Sequence, residues 1–211
     1  MILDEDGFGP DNIRKQIDVS RETFERLEIV LKVLDQWRHQ KNLIGPSEWS
    51  HIWRRHVWDS LQILPLLPND PNILDLGSGG GFPALPLACA LPPNSSSHVT
   101  MVETVGRKCN FLREAITEAD LQAAVYQGRV ENFDLEGVTA VTARAFAPLP
   151  KLIGLAAPWL LSGAVGVFHK GESWQEELTA ASETWTFAYQ VNPSQSGGKG
   201  VILKISEVSD G

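Results

Sequence analysis

The sequence predicts an α/β protein: a seven-stranded, mostly parallel sheet ending in an antiparallel hairpin, entered from an N-terminal helical extension. Three observations carry that reading. From residue 71 onward, short apolar runs alternate with stretches of helical period, which implies parallel strands covered on both faces. The first of these runs, Ile73-Leu74-Asp75-Leu76, opens into a glycine cluster. The last two runs are joined by a segment too short and too polar for a helix, so they form an antiparallel pair at the sheet edge. Residues 1–70 form the extension and residues 71–211 one compact domain.

The elements follow in order. Ser20 is a plausible N-cap, and Phe24, Leu27, Leu31 and Leu34 recur at threes and fours, so one stripe of this helix faces a core, extended by Trp37. A second helical piece is expected over Glu48 to Leu64, bounded by Gly45-Pro46 and by Pro65 and Pro68. Strands are expected at Ile73 to Leu76, His98 to Val102, Ala123 to Tyr126, Val138 to Thr142, Ala164 to Phe168, Trp185 to Val191 and Val201 to Ile205. Helices are expected at Ala84 to Leu91 and Arg107 to Ala119. Ala145 to Phe168 carries one lysine and no carboxylate, but its prolines and glycines divide it into a buried helix and a strand, not a membrane span.

Composition bounds the function. The 211 residues hold 18 Lys+Arg and 26 Asp+Glu, a formal charge of −8, and 43% are hydrophobic. A core is assured and disorder excluded, and general coating of nucleic acid, which needs an excess of cations, is disfavoured. Cys89 and Cys109 stand alone, giving neither a disulfide framework nor a zinc site. The acidic stretch Met1 to Pro10 is unlike a signal peptide. A cytoplasmic protein without metal is expected, with no membrane partner.

The informative segment is Asp75-Leu76-Gly77-Ser78-Gly79-Gly80-Gly81-Phe82-Pro83. Gly77, Gly79 and Gly81 let a strand turn sharply into a helix while the backbone approaches a ligand. A dinucleotide loop spaces its glycines G-x-G-x-x-G to admit a diphosphate, but here the third required position holds Phe82. Asp75 at the strand end would repel a diphosphate and suits the cationic amine of a methionyl group, held through water or backbone. S-adenosylmethionine is the better guest. Glu103, at the end of the next strand, can accept both ribose hydroxyls, a device that NAD proteins share. Arg129-Val130-Glu131 follows the third strand, either at an adenine edge or as a solvated loop.

Other polar residues keep two readings each. Arg144, after the fourth strand, emerges where such folds bind ligands, or forms a salt bridge to Asp75 or Glu131. His56 and Asp59, three apart, share a helix face; they cap the glycine loop or touch RNA, or they pin the extension to the fold. Lys170 reaches a phosphate or a base oxygen, or is a solvated strand end. Cys89 belongs to the core, and Cys109 stands beside Arg107 and Lys108.

Taken together, Asn42-Leu43, Arg55-His56-Val57-Trp58-Asp59-Ser60-Leu61, the glycine loop, Glu103-Thr104-Val105-Gly106-Arg107-Lys108, Arg129-Val130-Glu131, Arg144-Ala145-Phe146-Ala147 and Lys170-Gly171 resemble, in order and spacing, the GidB family. These are bacterial 16S ribosomal RNA guanine-N7 methyltransferases. The resemblance runs from about Leu27 to the last strand. It implies a class I S-adenosylmethionine-dependent methyltransferase fold and, residue by residue, cofactor contacts from Gly77, Phe82, Glu103, Val130, Glu131 and Arg144. Arg144 would sit beside cofactor and target base, and His56, Asp59 and Lys170 would lie near the same cleft. In the tail, Gly197-Gly198-Lys199-Gly200 stands where the family pattern has an Arg-His pair.

Guanine N7 offers an sp2 lone pair and needs no general base, so the load falls on orientation, with guanine O6 fixed by Arg144 or Lys170. Two rival functions remain open, an NAD(P)-linked oxidoreductase and a non-catalytic RNA-binding or assembly protein. The charge is uneven. Gln36 to His56 carries Arg38, Lys41, Arg54 and Arg55 against Glu48 alone, with His56 and several aromatics interleaved. With Arg107 and Lys108 these cations form the expected RNA-facing patch, or else a solvated helix face. The partner is then 16S rRNA or the 30S particle, met by a monomer.

Overall fold

The computed structural model describes residues 2–39, 43–93 and 95–211. Seven strands form one sheet in the order β3-β2-β1-β4-β5-β7-β6. They are β1 (Asn72–Leu76), β2 (His98–Glu103), β3 (Ala123–Gln127), β4 (Ala140–Arg144), β5 (Val165–Lys170), β6 (Trp185–Pro193) and β7 (Val201–Asp210). β1 to β5 pair in parallel; β7 lies antiparallel to β5 and carries β6 as the outer strand. The central strands are buried on both faces. Ile73, Val99, Met101, Ala140 and Val167 turn to one core, while Leu74, Leu76, Val102, Val141, Ala143 and Phe168 turn to the other, the two-residue period of a strand.

The first core is covered by α2 (Arg21–Arg38), α5 (Ala84–Ala90) and α6 (Gly106–Glu118). Ser20 Oγ accepts the Thr23 amide at 3.2 Å, the cap that starts α2. Its stripe of Phe24, Leu27, Val30, Leu31 and Leu34 is buried, each side chain stabilising by about 1.5–3 kcal/mol relative to exposure. The extension thus shares its core with α5 and α6. The second core is covered by α7 (Leu149–Leu160) and α8 (Trp174–Ser182). No helix among the described residues is long and apolar enough to cross a membrane.

Four differences from the sequence expectations matter. α1 (Pro10–Arg14) and α8 are additional helices. The single helix expected over Glu48 to Leu64 is broken into α3 (Pro46–Trp49), a π-helical turn over Trp53–Trp58, α4 (Asp59–Leu61) and a 3-10 turn over Leu64–Leu66. The cause lies far away in sequence: the buried Asp4 carboxylate takes the amides of Trp53 and Arg54 at 2.8 and 2.9 Å, and Ser60 Oγ donates back to the His56 carbonyl at 2.6 Å. β4 starts and ends two residues later than expected, so Arg144 is its last residue, in register with His169. β7 runs on to Asp210 through a register irregularity opposite Thr186 and Ala188, where Glu207 adopts φ 54°.

The strand order reverses between β1 and β4. Carboxyl-end crevices at such a switch point are where open α/β sheets bind ligands. The ends of β1, β2, β4 and β5 place Gly77, Glu103, Arg144 and Lys170 on that one edge.

Candidate active site

After β1 the chain turns through Gly77, whose φ of 69° favours glycine. The amides of Gly77 and Ser78 both donate to the Val102 carbonyl, at 2.9 and 3.1 Å, which ties the loop to β2. A Cβ on Gly77 would stand 2.2 Å from Phe146 Cδ2, so a side chain here would displace that ring. Beside it opens a cleft of about 600 Å³, lined by Gly77, Glu103, Lys108, Val130, Glu131 and Lys151 among others. Glu103 is 6% exposed. Its Oε2 accepts the Gly79 amide at 2.9 Å and its Oε1 the Val105 amide at 2.8 Å.

A second cleft of about 560 Å³ lies outside β4 and β5, lined by Asp59, Arg144, His169, Lys170, Ser194 and Ser196 among others. Ala145, Phe146 and Ala147 line both clefts. The partition is held in place actively. Ala145 takes a left-handed φ of 53°, a conformation costing about 1–2 kcal/mol for a residue with a Cβ. Lys170 Nζ donates to the Ala147 carbonyl at 3.0 Å and pairs with Glu177 at 2.5 Å. Glu177 in turn accepts the Leu149 amide at 2.7 Å, where α7 begins. The Phe146 ring rests on Gly77 and stays 37% exposed.

The charged centre of the second cleft is Asp59. Its Oδ1 accepts Ser194 Oγ, Ser196 Oγ and Gln62 Nε2 at 2.7, 2.8 and 2.8 Å, while Oδ2 faces Arg144 Nη1 at 3.2 Å. His169 Nε2 lies 2.7 Å from the Asp59 carbonyl. Burial works against the Asp59 charge, but His169, Arg144 and the two serines outweigh it and hold the carboxyl below its ordinary pKa. His56 is buried between Glu48, 3.1 Å away, and the Phe82 ring, whose centroid lies 4.9 Å from its own. Burial, with help from the Arg144 charge, pushes His56 down to about 4, so it is neutral at physiological pH.

A bare glycine turn and a strand-end carboxylate thus border one cleft, and a second cleft lies across a thin partition. A family model described as "GidB: rRNA small subunit methyltransferase G" matches residues 23–202. The chain belongs to the rRNA small subunit methyltransferase G family. A relative of that name from Hyphomonas neptunium is 60% identical over 91% of this chain and 91% of its own length. Another from Rhodospirillum rubrum is 44% identical over 94% and 98%. Among solved structures, an O-methyltransferase from Bacillus cereus in complex with SAH aligns with a TM-score of 0.59, at 17% identity over 93% of this chain and 96% of that one. Fibrillarin from Aeropyrum pernix with bound S-adenosyl-L-methionine gives 0.52, at 13% identity over 71% and 76%. The fold is therefore that of the class I methyltransferases.

Within the rRNA small subunit methyltransferase G fold, Gly77, Glu103, Val130 and Glu131 share the first cleft, and Arg144 and Lys170 the second. Asp75 does not reach the ligand side. It is 1% exposed, with Oδ1 accepting Thr142 Oγ1 at 2.7 Å, because it points into the sheet and not along it. Gly79, Gly81 and Phe82 do not line the first cleft either; Gly79 acts through Glu103, Gly81 packs on Leu85, and Phe82 packs on His56. The partner of Arg144 is Asp59, not Asp75 or Glu131. Lys170 is no solvated strand end. The Cys109 thiol is buried, donates to the Glu103 carbonyl and has its pKa pushed up by burial, so it is not activated.

The expected cationic patch is changed by folding. Arg38 pairs with Asp35 at 2.6 Å and lies over Trp49, Arg54 pairs with Asp6 at 2.8 Å and lies over Phe8, and Arg55 pairs with Glu48 at 2.6 Å. Asp6 and Asp35 stand outside the counted window, so the sequence overstated the local charge. His56 is too buried to meet a phosphate, Lys41 and Asn42 lie outside the described residues, Arg107 is exposed, and Lys108 faces the first cleft. Sequence reasoning quoted Phe146 only within a motif and missed Lys151, His169, Glu177, Ser194 and Ser196. For the serines no local signal existed, since their partner Asp59 is more than 130 residues away.

Proposed function

We propose that the protein methylates N7 of a guanine in 16S ribosomal RNA, with S-adenosylmethionine in the first cleft and the target base in the second. The observation that carries this is the shared wall. Ala145 to Ala147 border both clefts, so a group held in one meets a base held in the other at the end of β4.

The first cleft fits the cofactor by chemistry as well as size. Gly77 lines it with bare backbone, and Glu103 presents a carboxylate for ribose hydroxyls. Val130 and Glu131 stand at the adenine end, and Lys108 supplies a cation near Gly79 for a carboxylate. S-adenosylmethionine supplies the electrophilic methyl group when bound. The chain's own contribution is placement: the guanine N7 lone pair needs no base, and orientation of this kind is worth about 7–11 kcal/mol in favourable cases. Arg144 donates to guanine O6, leaving N7 free, and Lys170 acts on the partition through the Ala147 carbonyl. Phe146 presents an aromatic face against which a purine can stack.

The RNA substrate, free or in the 30S particle, places the enzyme in the cytoplasm, and one chain contains both clefts, so a monomer suffices. The test is transfer of labelled methyl groups from S-adenosylmethionine to small-subunit RNA or particles lacking the modification. Label is expected in the small-subunit RNA alone. Absence of label from both naked RNA and particles, despite cofactor binding, would instead favour a non-catalytic assembly protein.

A further inference from the structure

The segment between β6 and β7 sits on the reacting edge of the sheet, and its contacts there are specific. Ser194 Oγ donates to Asp59 Oδ1 at 2.7 Å and accepts the Ser196 amide at 3.2 Å and Gln62 Nε2 at 3.3 Å. The two serine oxygens also stand 2.8 Å apart, so both hydroxyls and Asp59 Oδ1 form one cluster. Ser196 Oγ gives a second hydroxyl to the same oxygen at 2.8 Å, and the Gln195 amide donates to Gln62 Oε1 at 2.9 Å. With Gln62 Nε2 at 2.8 Å, Asp59 Oδ1 receives three donors. Oδ2 is then turned to Arg144 Nη1 at 3.2 Å, an ion pair without a hydrogen bond, and to His169 Nε2 at 3.7 Å.

We propose that Ser194 and Ser196 are positioning residues for methyl transfer: they fix the rotation of the Asp59 carboxylate, and through it the place of the Arg144 guanidinium over the target base. A carboxylate free to turn would offer either oxygen to Arg144, and a buried guanidinium with a wandering partner does not hold one direction. Arg144 is 21% exposed at its side chain and lines the second cleft, so its direction is what an entering base meets. The role of Asp59 toward Arg144 is therefore set by a loop remote in sequence, and the loop's own fit against α4 becomes part of base recognition.

This inference rests on the proposed methyltransferase reading, so its test has one readout that depends on activity and one that does not. In the double variant S194A/S196A, affinity for S-adenosylmethionine by calorimetry should stay within about twofold, because the first cleft is untouched. The turnover number on saturating small-subunit RNA should fall at least tenfold, with S194A and S196A intermediate and S194T within threefold of the parent. An active parent with an equally active double variant would overturn the proposal. A parent that transfers no methyl group would sink the function instead. Independently of either, modification of Arg144 by phenylglyoxal, read peptide by peptide, should run several-fold faster in the double variant. Equal rates would overturn the positioning role whatever the activity.

Discussion

The Gly79 amide donates to Glu103 Oε2 at 2.9 Å, so the glycine turn and the end of β2 are one unit and not two neighbours. The same carboxylate takes the Val105 amide through its other oxygen. Glu103 thus shapes the first cleft and offers it acceptor sites at once. Replacing Glu103 with alanine should weaken binding of S-adenosylmethionine at least tenfold, about 1.4 kcal/mol, by calorimetry. An unchanged affinity would mean that the cofactor does not engage this carboxylate.

Gly77 and Phe146 form a second pair. Gly77→Asp should abolish cofactor binding, since the new side chain occupies the approach that the Phe146 ring marks at 2.2 Å. Gly77→Ala should destabilise by about 1–2 kcal/mol from its φ of 69°, with a further loss from the displaced ring. In a Phe146→Ala background only the backbone part should remain. Urea melts of the four proteins read this directly, and equal losses in both backgrounds would remove Phe146 from the wall of Gly77.

Asp75 makes stability depend on pH. Burial raises its pKa to about 6 from 3.8, so the folded chain holds this proton more tightly than the unfolded one. The stability it contributes is full below pH 3.8 and is lost as pH rises through 6, roughly 3 kcal/mol in all. His56 works in the opposite sense. Its pKa is pushed down to about 4, so stability present above pH 6.5 is lost as pH falls toward 4. Comparing Asp75→Asn with the parent isolates the first effect: the variant should gain roughly 1.4 kcal/mol relative to the parent between pH 5 and pH 8 in urea titrations. A constant difference would show that Asp75 does not titrate in this range.

Lys170 is held by the Ala147 carbonyl and by Glu177, with 8% of its side chain exposed. Lys170→Met should lower stability by about 1–2 kcal/mol, discounted because Glu177 keeps contact with water, and lower the methyl-transfer rate about tenfold while sparing cofactor affinity. A variant with the parent's rate would confine Lys170 to the fold.

What the sequence made legible was what local chemistry dictates. The parallel strands, the Ser20 cap of α2, the terminal hairpin and the glycine turn with Glu103 follow from period, capping and backbone freedom, which neighbouring residues decide. The break in the helix expected over Glu48 to Leu64 was invisible because Asp4 causes it from nearly fifty residues away. The pairing of the expected cations was hidden for the same reason, with Asp6 on Arg54. Asp75 was drawn into the cofactor site because a strand-end carboxylate looks alike whether it points along the sheet or into it; Thr142 on the next strand decides the matter. Ser194 and Ser196 looked like linker residues and are hydrogen-bonded to the charge beside Arg144.

The central claim is that a guanine held in the second cleft receives the methyl group at N7. Its most direct measurement is complete nuclease digestion of small-subunit RNA labelled by the enzyme, with chromatographic identification of the labelled nucleoside. A single labelled species, 7-methylguanosine, arising from one position, is the predicted result. Label on a ribose 2′-hydroxyl, on another base, or spread over many guanines would contradict it.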